Sequence, residues 1–546
     1  MTGGLLQLVG KGAQDHLVIG NPSFTHFRNM YKRHTDFAME HFRLVWKTTN
    51  LSIPANGNLT LRTKVERFAQ LLNDCYLSVD LPPIFSGLNN GNLQQPYEFQ
   101  WIPNIGYNMI NHISVLINGQ EIVRHTGEWM KLYSALTFNG TKREVLNNLV
   151  GNLPELYDPS NAYGRNNSYP HSISTSQGLA EPSIQGKTLT IPLHFWFCEN
   201  VGAALPLIAL QHSEVEIVVE FTNMYNMFTV LNQQGNRIAP TPDLYPMNLF
   251  LSPPLIDNSG PSNPSLSLWS TNSFIEANYI FLTETEMAHI AKTDHSFLIT
   301  QINMVLREGQ YGPSNDMELH LRNLCTRVVW VAQRSDRAAL NDVDNYTNWE
   351  NPKIRPTSVT DVPYSYSSGL ALPANVSQRD ILLESNIVID GKDRFTAKQT
   401  EFFSNIQNYR HHKGTTIIDF PGLYSYSFAL DHGTNQPSGH INGSMFNKTI
   451  LRNTYVQPPL ALTGNSNAPT SYCILKSTAS NPRPTRVNPN AVDSNGKPLY
   501  SPNDIVRIIS KTDANTLAYT YTVRAYTESY NYIRVIGGVA NVVFSS

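Results

Sequence analysis

Ile113-Ser-Val-Leu-Ile117, Asn118-Gly119 and the run that starts at Gln120 make up the stretch that decides the fold. An apolar strand, an Asn-Gly pair and a second strand read as a tight hairpin, because both turn residues must accept positive φ. A short helix follows at once, with Trp129, Leu132, Tyr133 and Leu136 on one face. The second half repeats the pattern. Asn386–Ile389 leads into Asp390-Gly391, then a second strand, then a helix-like stretch with Phe402, Phe403, Ile406 and Tyr409. The two turns lie 272 residues apart in a chain of 546. Two similar β domains in tandem place equivalent turns at half the chain length, which is the spacing found.

Working outward, other segments alternate with period two, the mark of a strand with one buried face. Lys187–Phe197 carries Leu189, Ile191, Leu193, Phe195 and Phe197 on one side. Glu214–Phe221 sets Val215, Ile217, Val219 and Phe221 against Glu216 and Glu220. Tyr424, Tyr426, Phe428 and Leu430 alternate with small residues, and so do Leu517, Tyr519, Tyr521 and Val523. Helical patterning is scarce; Val145, Leu146, Leu149 and Val150 fit one further short helix. The composition agrees. Charged residues make up 15% of the chain, while 55 Asn and 85 Ser plus Thr fill the polar share, beside 34 Pro and 26 Tyr. Few charges and many turn formers point to an all-β protein with long ordered loops.

These patterns place a flexible, glycine-containing arm at 1–24, a first β domain at 25–223, a linker and lead-in at 224–272 and a second β domain at 273–546. The segment 232–272 is rich in Pro, Asn and Ser and shows little strand pattern. Three polar stretches, 151–186, 341–380 and 463–503, read as long, ordered, surface-facing loops.

The net charge of -2 argues against a basic nucleic-acid surface. Cys75, Cys198, Cys325 and Cys473 stand far apart, with no metal-ligand spacing, and read as reduced core residues in a reducing compartment. Leu5–Val9 is too short for a signal-peptide core, and no run is long enough for a membrane-spanning helix, so a soluble chain is expected. No catalytic, cofactor or metal motif emerges. Gly186-Lys187-Thr188 resembles the end of a phosphate-binding loop, but Lys187 opens a strand and Glu181 stands where a glycine is needed. Asp342, Asp344 and Asn345 lack the glycine of a calcium loop and read as an Asx-rich turn. His411-His412, with His432 and His440 nearby, reads as structural, because adjacent strand residues point to opposite faces. Eight N-glycosylation sequons are what chance placement predicts; Asn166, Asn345 and Asn375 lie in predicted loops and are the better acceptors.

Longer motifs then resemble a known family. Gly3-Gly-Leu-Leu-Gln-Leu-Val9, Gly12-Ala-Gln-Asp15, Gly20-Asn-Pro22, Tyr31-Lys-Arg-His34 and Phe37-Ala-Met-Glu40 resemble the N-terminus of major capsid proteins of nucleocytoplasmic large DNA viruses. Pro206-Leu-Ile-Ala-Leu-Gln211 looks like the close of that family's first domain, and Asn278-Tyr-Ile-Phe-Leu282 like the opening of its second. Asp390-Gly-Lys-Asp-Arg-Phe395, Tyr424–Leu430, Gln436-Pro-Ser-Gly439 and Tyr530-Asn-Tyr-Ile-Arg534 with Gly537-Gly538 continue the match in family order. Lys11, His16, the region 442–449 and the loops 341–380 and 463–503 depart from the pattern.

The resemblance implies a double jelly roll: two tandem eight-stranded antiparallel sandwiches with a few short helices. It implies a structural subunit, not an enzyme, that forms homotrimers and pseudo-hexagonal capsomers in the shell of a large double-stranded DNA virus. The implied partners are copies of itself, minor capsid and penton proteins and membrane-associated proteins inside the shell, with outer loops facing host receptors or glycans. No cofactor and no direct nucleic-acid binding are implied. The implied location is the virion, after assembly in the host cytoplasm. A non-capsid, glycan-binding β-sandwich protein is the alternative that shares the loops and the neutral charge. A cupin-type enzyme would need a histidine set that the chain lacks, and a penton of this lineage would carry one jelly roll.

Overall fold

The computed structural model describes residues 3–544 except 55–56, 88–97, 167, 174–179, 232–236, 239, 241–245, 255–268, 336, 338–340, 350, 354, 356–377, 415–419, 433–435, 459–470, 476–485, 488–504 and 511–518. Strands dominate, and the helices are short.

The first half folds into two facing antiparallel sheets. One runs Phe37–Leu44, Phe274–Leu282, Leu71–Leu81, Lys187–Pro192, and the other Leu59–Lys64, Val215–Phe221, Ile110–Ile117, Gln120–Thr126. The second half gives His295–Gln310, Tyr521–Ile536, Leu324–Arg334, Leu423–Ser427, and facing it Asn315–Leu319, Thr449–Tyr455, Leu382–Ile389, Lys392–Asp393. Leaving the short bridging strands aside, and numbering along the chain within each half, both have the order 1-8-3-6 against 2-7-4-5. The first and last strands of each half are therefore hydrogen-bonded neighbours, as a jelly roll requires. The duplication read from the two turns is a duplication of topology.

Alternation explains why these segments became strands. In Val215–Phe221, Val215, Ile217, Val219 and Phe221 face the core while Glu216 and Glu220 lie on the other face, and in Tyr521–Ile536 Tyr521 and Val523 are buried. Aromatic pairs fill the sandwiches. Phe99 stacks on Phe228 at 4.7 Å in the first, and Trp330 meets Phe403 edge-on at 5.2 Å in the second.

Several expectations need correction. Phe274–Leu282, assigned from sequence to the second domain, pairs with Phe37–Leu44 over its whole length and with Leu71–Leu81 on its other side. It is the closing strand of the first sandwich, so the boundary moves to the helix Glu284–Lys292. The segment 224–272 is not a bare linker. Phe228–Leu231 pairs with Glu98–Trp101, Met247–Phe250 forms a helical turn, and buried Trp269 donates its indole N–H to Asp80 O at 2.9 Å. Residues 341–349 are not surface-facing, since Tyr346, Thr347 and Asn348 are buried. The stretch 463–503 contains Ser471–Leu475 and Arg486–Val487, which join Ile505–Ser510 in a small sheet. Leu430, expected on a buried face, is 76% exposed because its strand ends at Ser427. Ile406 and Tyr409 are exposed as well: after a π-turn over Phe402–Ile406, Phe403 is buried in the core and Phe402 packs partly buried against it.

Candidate assembly surface and domain junction

The junction between the sandwiches starts from the first hairpin. Thr126 ends the hairpin's second strand and caps the next helix, accepting Trp129 N–H at 3.1 Å. That helix, Gly127–Thr137, buries Trp129, Leu132, Ala135 and Leu136 against Val329, Val331, Leu423 and Tyr526 of the second sandwich. Gly414 completes the contact from the second sandwich: its N–H donates to Leu136 O at 2.8 Å, and an added Cβ there would meet Ala135 O at 2.1 Å. Only a residue without a side chain fits.

Charges are concentrated at this junction. Glu128 accepts two hydrogen bonds from Arg524, and further ones from the Tyr526 and Tyr346 hydroxyls. Although burial alone would push the Glu128 carboxyl up, Arg524 and its other donors hold it down at about 2. One turn later, buried Lys131 pairs with Asp344, which also accepts from Asn104 Nδ2 at 2.7 Å. Nearby, Arg327 holds Glu528 through Nε at 2.9 Å and Nη2 at 2.6 Å, with Trp129 and Tyr133 of the first sandwich over the guanidinium. A cleft of about 760 Å³ opens beside this pair between the sandwiches. At the far side, His212 N–H donates to Gly538 O at 3.0 Å, so the C-terminal turn also grips the first sandwich.

Among the described residues, large apolar side chains stand exposed in the N-terminal arm and on the second sandwich. Residues 3–36 are exposed throughout, with Phe27 at 99% and Tyr31 at 86%; Leu5, Leu6, Leu17 and Val18 are also exposed on two short helical turns. This arm leads into Phe37–Leu44, which among the described residues is an edge strand paired on one side. On the second sandwich Tyr409, Leu430 and Met445 are individually exposed. Large exposed apolar groups that gather in one place mark contact surfaces.

Of the sequence-predicted site residues, Asn166 is exposed, in a left-handed turn conformation at φ 44°. Asn345 is buried; its Nδ2 donates to Trp349 O at 2.7 Å and its Oδ1 accepts from Thr347 N at 3.0 Å. A sugar on that amide would break the turn, so Asn345 is corrected from acceptor to Asx-turn residue. Asn375 lies outside the described residues. Asp342 pairs with Arg337 and Asp344 with Lys131, so the calcium-like residues do not converge. His412 stacks on His432 at 5.1 Å, and His411 closes a helix, not a strand as expected. No group of three or more potential metal-binding side chains occurs among the described residues. The junction charges escaped the sequence reading. Their signal was a pair of opposite charges, Glu128 and Lys131, one turn apart on an otherwise apolar helix.

Two family models match in tandem. The N-terminal domain of major capsid proteins covers residues 25–283, and the large eukaryotic DNA virus major capsid protein model covers residues 286–474. The chain belongs to the major capsid proteins of large eukaryotic DNA viruses. The major capsid protein of Phaeocystis pouchetii virus is 27% identical, covering 83% of this chain and 92% of its own length. That of Paramecium bursaria Chlorella virus 1 is 26% identical, covering 88% and 95%. Among solved structures, VP54 of PBCV-1 superposes with a TM-score of 0.60 at 18% identity, covering 96% of this chain and all of its own. The Faustovirus major capsid protein superposes with a TM-score of 0.57 at 12% identity, covering 94% and 93%. The fold is thus the double jelly roll of these capsid proteins, and the family is structural, not enzymatic. The first model ends within one residue of Leu282, in agreement with the strand pairing. The glycan-binding alternative gives way to this match.

Proposed function

We propose that this major capsid protein closes into a homotrimer whose six sandwiches form a pseudo-hexagonal capsomer of the viral shell. The observation that carries the reading is the shared strand order of the two sandwiches. Three copies of two like wedges present six similar sides, and a head-to-tail contact closes after three. The charged and aromatic junction supports it, because tiles must be rigid before they can tile. We further propose that the arm lies on the inner face of the shell. There it packs against neighbouring capsomers, minor capsid and penton proteins or membrane-associated proteins, which would cover its exposed Leu, Phe and Tyr side chains. Assembly would take place in the host cytoplasm. Outer loops would meet host receptors or glycans, and a sugar, if attached at one of the two described candidates, would sit on Asn166.

Electron microscopy and light scattering of the purified protein test the reading: trimers with pseudo-hexagonal outline are expected, and a stable monomer would overturn it. Deleting residues 2–20 should leave the trimer intact and abolish ordered arrays. Unchanged arrays would remove the role given to the arm.

A further inference from the structure

The Lys131 site holds more than an ion pair. Lys131 is 1% exposed and its Nζ lies 3.2 Å from Asn108 Oδ1. Asp344 Oδ1 accepts from Lys131 Nζ and from Asn108 Nδ2, the latter at 2.9 Å. The second Asn108 amide hydrogen goes to Pro103 O at 2.6 Å, which fixes the plane of the amide. Asn104 holds the other Asp344 oxygen, and the Tyr346 ring lies 5.3 Å from Nζ. An amine, a carboxamide and a carboxylate touching both are thus enclosed together, with the amine removed from water.

We propose that Lys131 and Asn108 become joined by an isopeptide bond that the protein forms by itself, with Asp344 as the proton relay. Asp344 takes a proton from the Lys131 ammonium and frees the Nζ lone pair. Nζ attacks Asn108 Cγ, forming the new C–N bond. Asp344 returns the proton to Nδ2, the Cγ–Nδ2 bond breaks, and ammonia leaves. Ammonia takes the remaining extra proton from Nζ and departs as ammonium, so the carboxylate is regenerated and no oxidant or cofactor is consumed. Holding the reactants in contact supplies the large effective concentration such a step needs, and the shared carboxylate supplies general acid–base help. Asn108 and Lys131 lie in the first sandwich, whereas Asp344 comes from the second half of the chain. The bond therefore forms only after the halves dock, and it then ties the helix at the junction to the short helix Ile105–Asn108. Such a link limits the freedom of the unfolded chain.

The test is the mass of the full-length purified protein under denaturing conditions, followed by a tryptic digest. Expected are a mass lower than the sequence mass by one ammonia and a branched peptide joining Asn108 to Lys131, with both signatures lost in Lys131→Arg and Asp344→Asn. Should those variants fail to fold, the wild-type digest decides alone. Wild-type protein at the sequence mass, with Asn108 and Lys131 in separate peptides, overturns the proposal. So does loss of one water with the link at Asp344.

Discussion

Asn118 and Asp390 make the same pair of hydrogen bonds in the two halves of the chain. Asn118 N–H donates to Glu214 O and Asn118 Oδ1 accepts Glu214 N–H, both at 2.9 Å. Asp390 N–H donates to Lys448 O and Asp390 Oδ1 accepts Lys448 N–H, again both at 2.9 Å. Their φ angles are 52° and 48°, and the glycines after them stand at 80° and 79°. In each half the turn thus clamps the residue that leads into the neighbouring strand.

Because the clamp uses a side-chain oxygen that Asn and Asp share, Asn118→Asp and Asp390→Asn should each shift stability by under about 0.5 kcal/mol. Gly119→Ala and Gly391→Ala should each cost roughly 1–2 kcal/mol, since an L-residue is strained at positive φ. Thermal unfolding of the four variants checks this.

Glu128→Gln removes the charge that answers Arg524 at the junction. Both side chains are about four-fifths buried. Breaking such a pair strands the remaining cation, so a loss of about 3 kcal/mol is expected. A separate early transition for one sandwich in calorimetry would show that the junction couples the halves.

Acid should weaken the fold through His125. It is buried and stacked on Phe195 at 5.8 Å, and burial pushes its imidazole down to about 4. A lowered histidine pKa means that the folded state binds the proton less readily than the unfolded chain. Its contribution is full above about pH 6.5 and is lost as pH falls towards 4, a loss of about 3 kcal/mol. His194, hydrogen-bonded to the Tyr107 hydroxyl at 3.0 Å and pushed down to about 3, acts in the same direction. His125→Phe should flatten melting temperature against pH between 6.5 and 4.

Trp330 is fully buried in the second sandwich, against Phe403 and Tyr424. Trp330→Ala should cost about 3–5 kcal/mol. Because the first sandwich keeps its own core, proteolysis at low denaturant should cut the second half of the variant first.

The sequence by itself determined much of the local structure: the two Asx-Gly hairpins, the tandem β architecture and the starts of the period-two strands, although the alternation in 187–197 and 424–430 runs past the strand ends at Pro192 and Ser427. These were legible because side-chain alternation and left-handed turn residues are properties of neighbours along the chain. The glycine-containing opening reads as a flexible arm at 1–24, whereas the exposed segment runs from residue 3 to 36 and carries two short helical turns. Only the tertiary structure decided that Phe274–Leu282 returns to lie between Phe37–Leu44 and Leu71–Leu81, and that Glu128 and Lys131 meet Arg524 and Asp344. Such pairings join residues about two hundred to four hundred positions apart. They are chosen by which edges and charges remain unsatisfied once the sheets have formed, and no local pattern records that choice.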